Sequence, residues 1–135
     1  MDLSNLTNKA AAVIISDKKT AIFQRKDGKW EFPNAALKDD EKVDNAIINL
    51  SKDNLGIDVI PAAEIGSIEQ NIGNGIEIAM FIHVNTENPA GITLHSDYSA
   101  FKYVTFEELG GLDLADDEKK FLETCADDLK KHITD

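Results

Sequence analysis

Residues 30–59 read WEFPNAALKDDEKVDNAIINLSKDNLGIDV, and the order of signals in this stretch sets the architecture around it. Trp30–Phe32 is a short extended piece, because Pro33 disfavours helical backbone at the residue before it. From Asp39 the pattern becomes helical. Val43, Ala46, Ile47 and Leu50 recur at i, i+3, i+4 and i+7 and give one apolar stripe. Asp39, Asp40, Glu41 and Asp44 crowd the expected helix start, where carboxylates suit the positive end of the macrodipole. Gly56, just after Leu55, is placed to stop the helix.

Upstream, residues 10–16 (AAAVIIS) are small and then β-branched, as in a buried strand. Asp17–Lys19 turns the chain, and Thr20–Arg25 returns it as the second strand of a hairpin. Asp27-Gly28 marks a second turn. Downstream, two longer strand-like runs, about Ile57–Ile72 and Ile76–Val84, are joined by Gly73-Asn74-Gly75, and an Asn-Gly pair between apolar runs signals a hairpin. Asn85–Gly91 is a polar loop, and Phe101–Val104 another strand. Thr105-Phe106-Glu107-Glu108 has the form of a capping box. The last helix is expected over about Ala115–His132, with Phe121, Leu122, Cys125 and Leu129 facing inward.

At 135 residues the chain fits a single domain, 1–135, with a real core. Its net charge of −11, from 25 acidic and 14 basic side chains, argues against a nucleic-acid polymer as partner, since such binders need a basic stripe. A small anionic ligand held by a few local cations or a divalent metal stays open. No apolar run approaches the ~20 residues that span a bilayer, and MDLSNLTNK lacks the features of a signal peptide. The expected setting is cytoplasmic. The one cysteine, Cys125, excludes an internal disulfide and reads as core.

Residue for residue, 30–59 resembles the Nudix box of the MutT-like nucleoside-diphosphate-X hydrolases. Trp30, Glu31, Phe32, Pro33, Glu41, Ala46, Leu55, Gly56 and Ile57 keep that pattern. Ala35 stands where the pattern has Gly, Asn49 where it has Arg, Leu50 where it has Glu, and Ser51 at an aliphatic position. Asp53 and Asn54 replace its closing pair of glutamates. The resemblance runs from about Lys9 to Glu123. It implies an α/β chain of Nudix fold, a mixed β-sheet sandwiched between α-helices (α/β/α).

In that family, glutamates at the positions of Leu50, Asp53 and Asn54 converge from one helix face on Mg²⁺ or Mn²⁺, which stabilises charge on the phosphoryl oxygens. Here Asp53 is the carboxylate left, one methylene shorter than Glu. Asn54 offers a neutral carbonyl and Leu50 nothing. By resemblance the expected catalytic residues are Asp53 and Glu41. The expected metal ligands are Asp53, Glu41 and Asp97, the last from HSDYSAF. Arg25, the only arginine, is placed to steady phosphates, and Trp30 and Phe23 to stack a base. Each has a plainer reading: solvated helix or loop carboxylates, a strand-end arginine, core aromatics. His83 reads as a strand residue at a satisfied or solvent-facing position, and His95 and His132 have no partners at ligand spacing.

Three functions remain open. The chain binds a nucleotide-like diphosphate, with hydrolysis weak or absent; or it is an active, divergent Mg²⁺-dependent hydrolase; or it is a protein-interaction scaffold. A monomer and a homodimer are both compatible with the sequence.

Overall fold

The computed structural model describes residues 6–134 except Ile72, Asn74, His95 and Ser96. The strands are β1 (Leu6–Ser16), β2 (Lys19–Arg25), β3 (Trp30–Glu31), β4 (Asn34–Ala36), β5 (Ile60–Asn71), β6 (Ile76–Asn85) and β7 (Tyr98–Val104). The helices are α1 (Val43–Leu50), α2 (Phe106–Leu109) and α3 (Asp116–Thr134).

β1 is the central strand. It runs parallel to β6 from Leu6↔Ile76 to Ile14↔Val84, and β6 is antiparallel to β5. The other edge of β1 is shared. Lys9–Ala11 pairs with β4, Ile15–Ser16 pairs with β2, and between them Ala12 N–H donates to the Pro33 carbonyl at 2.8 Å. β2 continues the sheet to β3 and β7. The sheet therefore divides at residues 31–34, and a cleft opens there.

The period of two along β1 sorts its side chains between two cores. Ala10, Ala12 and Ile14 join Ile47, Leu50 and Leu55 of the α1 side. Ala11 and Val13 join Phe121, Cys125, Leu129 and Ile133 of α3. Helices thus cover both faces, giving the expected α/β/α layering. On the α3 side the Phe81 and Phe121 rings stack at 3.9 Å, with Phe32 edge-on to both at 6.0 and 6.4 Å. Each of these buried rings contributes about 1.5–3 kcal/mol through the area it withdraws from water.

Several local expectations are met. The β1–β2 hairpin turns on Asp17 and Lys18, both at positive φ. Gly28, at φ 92°, closes the Asp27-Gly28 turn. Gly56, at φ 68°, caps the box helix by donating its N–H to the Ser51 carbonyl. Thr105 and Glu108 form both bonds of a capping box. Other boundaries differ. β1 begins at Leu6, β5 at Ile60 and β7 at Tyr98. Of the Gly73-Asn74-Gly75 connection, Asn74 lies outside the described residues; Gly73 has φ 79° and the β5–β6 pairing closes at Asn71↔Ile76.

The box helix starts at Val43, four residues after Asp39, because Asp40 has φ 62° and cannot sit in a right-handed turn. It also does not continue as an α-helix. Ser51–Leu55 is a π-type turn, and the wider turn rotates whatever follows Leu50 away from simple i+3 and i+4 spacing. Ser51 is fully buried there, its hydroxyl donating to the Ile47 carbonyl at 2.8 Å. Ala35 sits in β4 opposite Ala10, so no left-handed backbone is asked of it. Among the described residues no helix is long and apolar enough to cross a membrane.

Candidate functional site

The cleft at the division of the sheet is built around Arg25 and Glu31. Arg25 ends β2, Glu31 ends β3, and Asn34 opens β4, so all three project where β1 changes partners. Arg25 Nη1 donates to Glu31 Oε1 at 3.4 Å, and its Nε to Asp27 Oδ1 at 3.2 Å; Nη2 also meets Asp27. The other Glu31 oxygen accepts from the Tyr98 hydroxyl at 2.9 Å and from Asn34 Nδ2 at 3.3 Å. The guanidinium holds the Asp27 carboxyl down at about 2. Burial, reinforced by the Glu31 charge, pushes the Tyr98 phenol far above its ordinary range, so the phenol stays a donor.

Two adjoining cavities share Arg25, Glu31 and Asn34. One, of about 500 Å³, is completed by Lys26, Asp27, Asn54, Asp97 and Tyr98. The other, of about 410 Å³, is completed by Lys9, Lys29 and the start of α3 at residues 115–118. Lys9 bridges Glu77 at 3.2 Å and also Asp117; burial works against its charge, but these two carboxylates outweigh it and raise its pKa.

Glu118 is a feature the sequence reading missed. Only 3% exposed, it places Oε2 3.2 Å from the Phe32 N–H. Burial, with Glu31 and Asp117 nearby, lifts its pKa to about 8 despite that bond, so the carboxyl is largely protonated at neutral pH. A signal existed, since Glu118 lies three, seven and eleven residues before Phe121, Cys125 and Leu129. It is a carboxylate on the buried stripe of its helix.

The expected site residues separate. Arg25 and Asp97 share a cleft cavity, joined by Asn54. Asp53 is exposed. Glu41 precedes the helix, its carboxylate accepting from the Lys38 backbone N–H at 3.0 Å in the tight turn before α1. Trp30 is half-buried, with Lys102 Nζ 4.8 Å from its ring centroid. Phe23 is corrected outright: it is fully buried, packed between the Tyr98 and Phe101 rings, and has no face for a base.

The Mg²⁺ or Mn²⁺ ion implied by the resemblance would need several oxygen ligands. Leu50 is 5% exposed and part of the core, Asp53 stands alone on its turn, and Asn54 is neutral. Among the described residues no group of three or more His, Cys, Asp or Glu side chains is placed to hold a metal ion. This donor set does not fit a multi-carboxylate centre on the box helix, and Asp53, Glu41 and Asp97 are not gathered into one. A separate cavity of about 520 Å³ between residues 56–60 and 85–88 carries only Asp58 and Glu87 as charged groups, which suits no anion.

No protein-family model matches the sequence, and no curated protein does. Solved structures do match. A MutT protein from Methanosarcina mazei Go1 is similar at 19% identity, over 93% of this chain and 96% of that one, with a TM-score of 0.78. A NUDIX hydrolase from Nitrosomonas europaea is similar at 14% identity, over 95% and 90%, with a TM-score of 0.74. An ADP-ribose pyrophosphatase from Streptococcus suis 89-1591 is similar at 18% identity, over 93% and 90%, with a TM-score of 0.71. At these identities the likeness is one of fold, and it agrees with the mixed sheet and the two helical layers: the chain has the Nudix fold.

Proposed function

We propose that the protein binds a nucleotide-like diphosphate in the Arg25 cleft and hydrolyses it weakly or not at all. The observation that carries this reading is the split fate of the box helix. Asn54 reaches the cleft that holds Arg25, while Leu50, at a position where the family pattern has a metal-binding Glu, is packed into the core. Arg25, Lys26 and Lys29 supply cations for phosphate oxygens, and Asn34, Asn54 and the Tyr98 hydroxyl supply neutral polar contacts. Without converging carboxylates, the charge that develops on a phosphoryl group in flight loses most of its stabilisation. The names of the fold relatives, which include an ADP-ribose pyrophosphatase and a C. elegans Ap4A hydrolase, support diphosphates of nucleosides as the first ligands to try.

A second reading, a divergent hydrolase, draws support from Asp97 and Glu31, which bring carboxylates to the walls of the same cleft. In that reading Asp53 and Glu41 would have to move toward Asp97 for the three to hold Mg²⁺ or Mn²⁺ together. One panel separates the two. ADP-ribose, nucleoside triphosphates and dinucleotide polyphosphates are tested with Mg²⁺, Mn²⁺ or EDTA, reading melting temperature and, by chromatography, the nucleotide products together. A melting shift without product supports binding. Metal-dependent product abolished by Asp53→Ala supports the hydrolase. Silence on both readouts overturns both and leaves the scaffold.

A further inference from the structure

Two imidazoles outside the cleft meet between the sheet and α3. His83, on β6, and His132, in the last turn of α3, bring their Nδ1 atoms to 2.9 Å with ring planes 83° apart. The other nitrogen of His83 lies 3.2 Å from Asn85 Oδ1. An amide oxygen only accepts, so His83 Nε2 carries the proton and its Nδ1 presents a lone pair. The proton between the rings then belongs to His132 Nδ1. Along the sheet, His83 is flanked by Val13 of β1 and Ala63 of β5, neither of them charged. An imidazole with one nitrogen protonated and a lone pair on the other is the form that ligates metals.

We propose that His83 and His132 form a two-imidazole site for a divalent transition-metal ion, Cu²⁺ or Ni²⁺, which takes the place of the proton the rings share. Ring nitrogens bound at ~2.0–2.1 Å in adjacent positions of a tetragonal ion lie ~2.9 Å apart, whereas a tetrahedral ion spreads them to ~3.3 Å. A tetragonal ion therefore needs little change in the 2.9 Å separation of the two nitrogens. The ion sits off the line joining the nitrogens, so both rings turn to aim their lone pairs at it. Both are only half-buried, which leaves the rings room to turn. As the ion binds, the His132 Nδ1 proton moves to Nε2 through solvent, and the ring stays neutral. Asn85 is the outer partner that fixes the His83 tautomer, a support metal-bound histidines commonly use. Water completes the coordination. The site is independent of the Arg25 cleft and of any activity there.

The test is a titration of the intact protein with CuCl₂ or NiCl₂ at pH 7.5, by equilibrium dialysis, with electron paramagnetic resonance for Cu²⁺. One equivalent should bind, with a signal showing two nitrogen ligands. His83→Ala and His132→Ala should each weaken binding at least tenfold. His95→Ala, which removes the third histidine of the chain, should change nothing. Circular dichroism checks that each variant is folded, and His132→Ala, at a half-exposed helix end, keeps the test decisive if His83→Ala is not. No bound metal in the wild type, or equal affinity in the folded His132→Ala variant, overturns the proposal.

Discussion

An oxygen of the Glu118 carboxyl group accepts a hydrogen bond from the Phe32 backbone N–H at 3.2 Å, joining positions 86 residues apart in the chain. This contact ties the first turn of α3 to the strand that carries Glu31, and so fixes the floor of the cleft. It also places a carboxyl where water barely reaches. The pair sets one wall of the candidate site and a proton-linked term in its stability.

Glu118 makes stability fall with rising pH. Its folded pKa of about 8 lies above the ordinary carboxyl value of 4.5. Between those values the folded state binds more protons than the unfolded one, so unfolding becomes easier as pH rises through the window and levels off above it. Glu118→Gln keeps a neutral side chain of the same shape. It should match wild type near pH 5 and be more stable near pH 8, by an amount of order a few kcal/mol. Denaturant melts at the two pH values measure this; equal differences at both would refute it.

Leu50→Glu restores the family residue at the box helix but puts a carboxylate into the α1 core. Leu50 packs with Ile47 and Leu55 and is 5% exposed. The variant should lose about 3 kcal/mol or more, and Mg²⁺ should not recover it. Thermal melts with and without 10-fold excess metal check both statements, and a Mg²⁺-dependent recovery would argue for a latent metal centre.

Arg25→Ala should weaken nucleotide-diphosphate binding by ~10–100-fold, the range for losing a charge-assisted contact. Arg25→Lys should recover only part, because an ammonium lacks the two-pronged geometry of a guanidinium. The same change frees Asp27, whose carboxyl should titrate back toward its ordinary value of 3.8. Calorimetry with ADP-ribose and a carboxyl-resolved NMR titration read the two effects separately.

Gly66→Ala tests how closely α3 seats on β5. A methyl group at Gly66 would stand 2.6 Å from Cys125 Sγ and 3.3 Å from its Cβ. Cys125 is also where α3 departs from helical backbone, at φ −126°. Overpacking there should cost about 1–3 kcal/mol. Adding Cys125→Ala removes the nearer atom and should return part of that loss, a coupling measurable as a double-mutant cycle.

The parts of the fold that were legible are those decided locally. The Asp17–Lys18 hairpin, the Gly56 stop, the Thr105 capping box and the Val43–Leu50 stripe each rest on residues within one or two turns of each other. What was hidden depends on contacts the chain makes with distant segments. Glu118 shares the spacing of the buried stripe of α3, but the group it meets, the Phe32 N–H, lies 86 positions away. His83 and His132 are 49 positions apart and meet only through the sheet. The i, i+3, i+4 reading of Leu50, Asp53 and Asn54 assumed a continuous α-helix, and the π-type turn from Ser51 breaks that assumption. Phe23 looked available because an aromatic in a strand does not declare which face it takes.

Among the described residues β5 forms one outer edge of the sheet, with twelve residues whose other side meets no strand. A long open edge is a template on which another extended chain can add and aggregate. This one is poorly suited to the task. Pro61 lacks an N–H to offer, the pairing with β6 slips at Pro61/Ala63 and again at Glu64/Gly66, and Glu64 and Glu69 put charge along the strand. Those interruptions spoil the flat, regular ladder that fibril growth needs. At a net charge of −11, like molecules also repel before their edges can touch. The irregularity of β5 thus bears on how crowded a solution this protein tolerates.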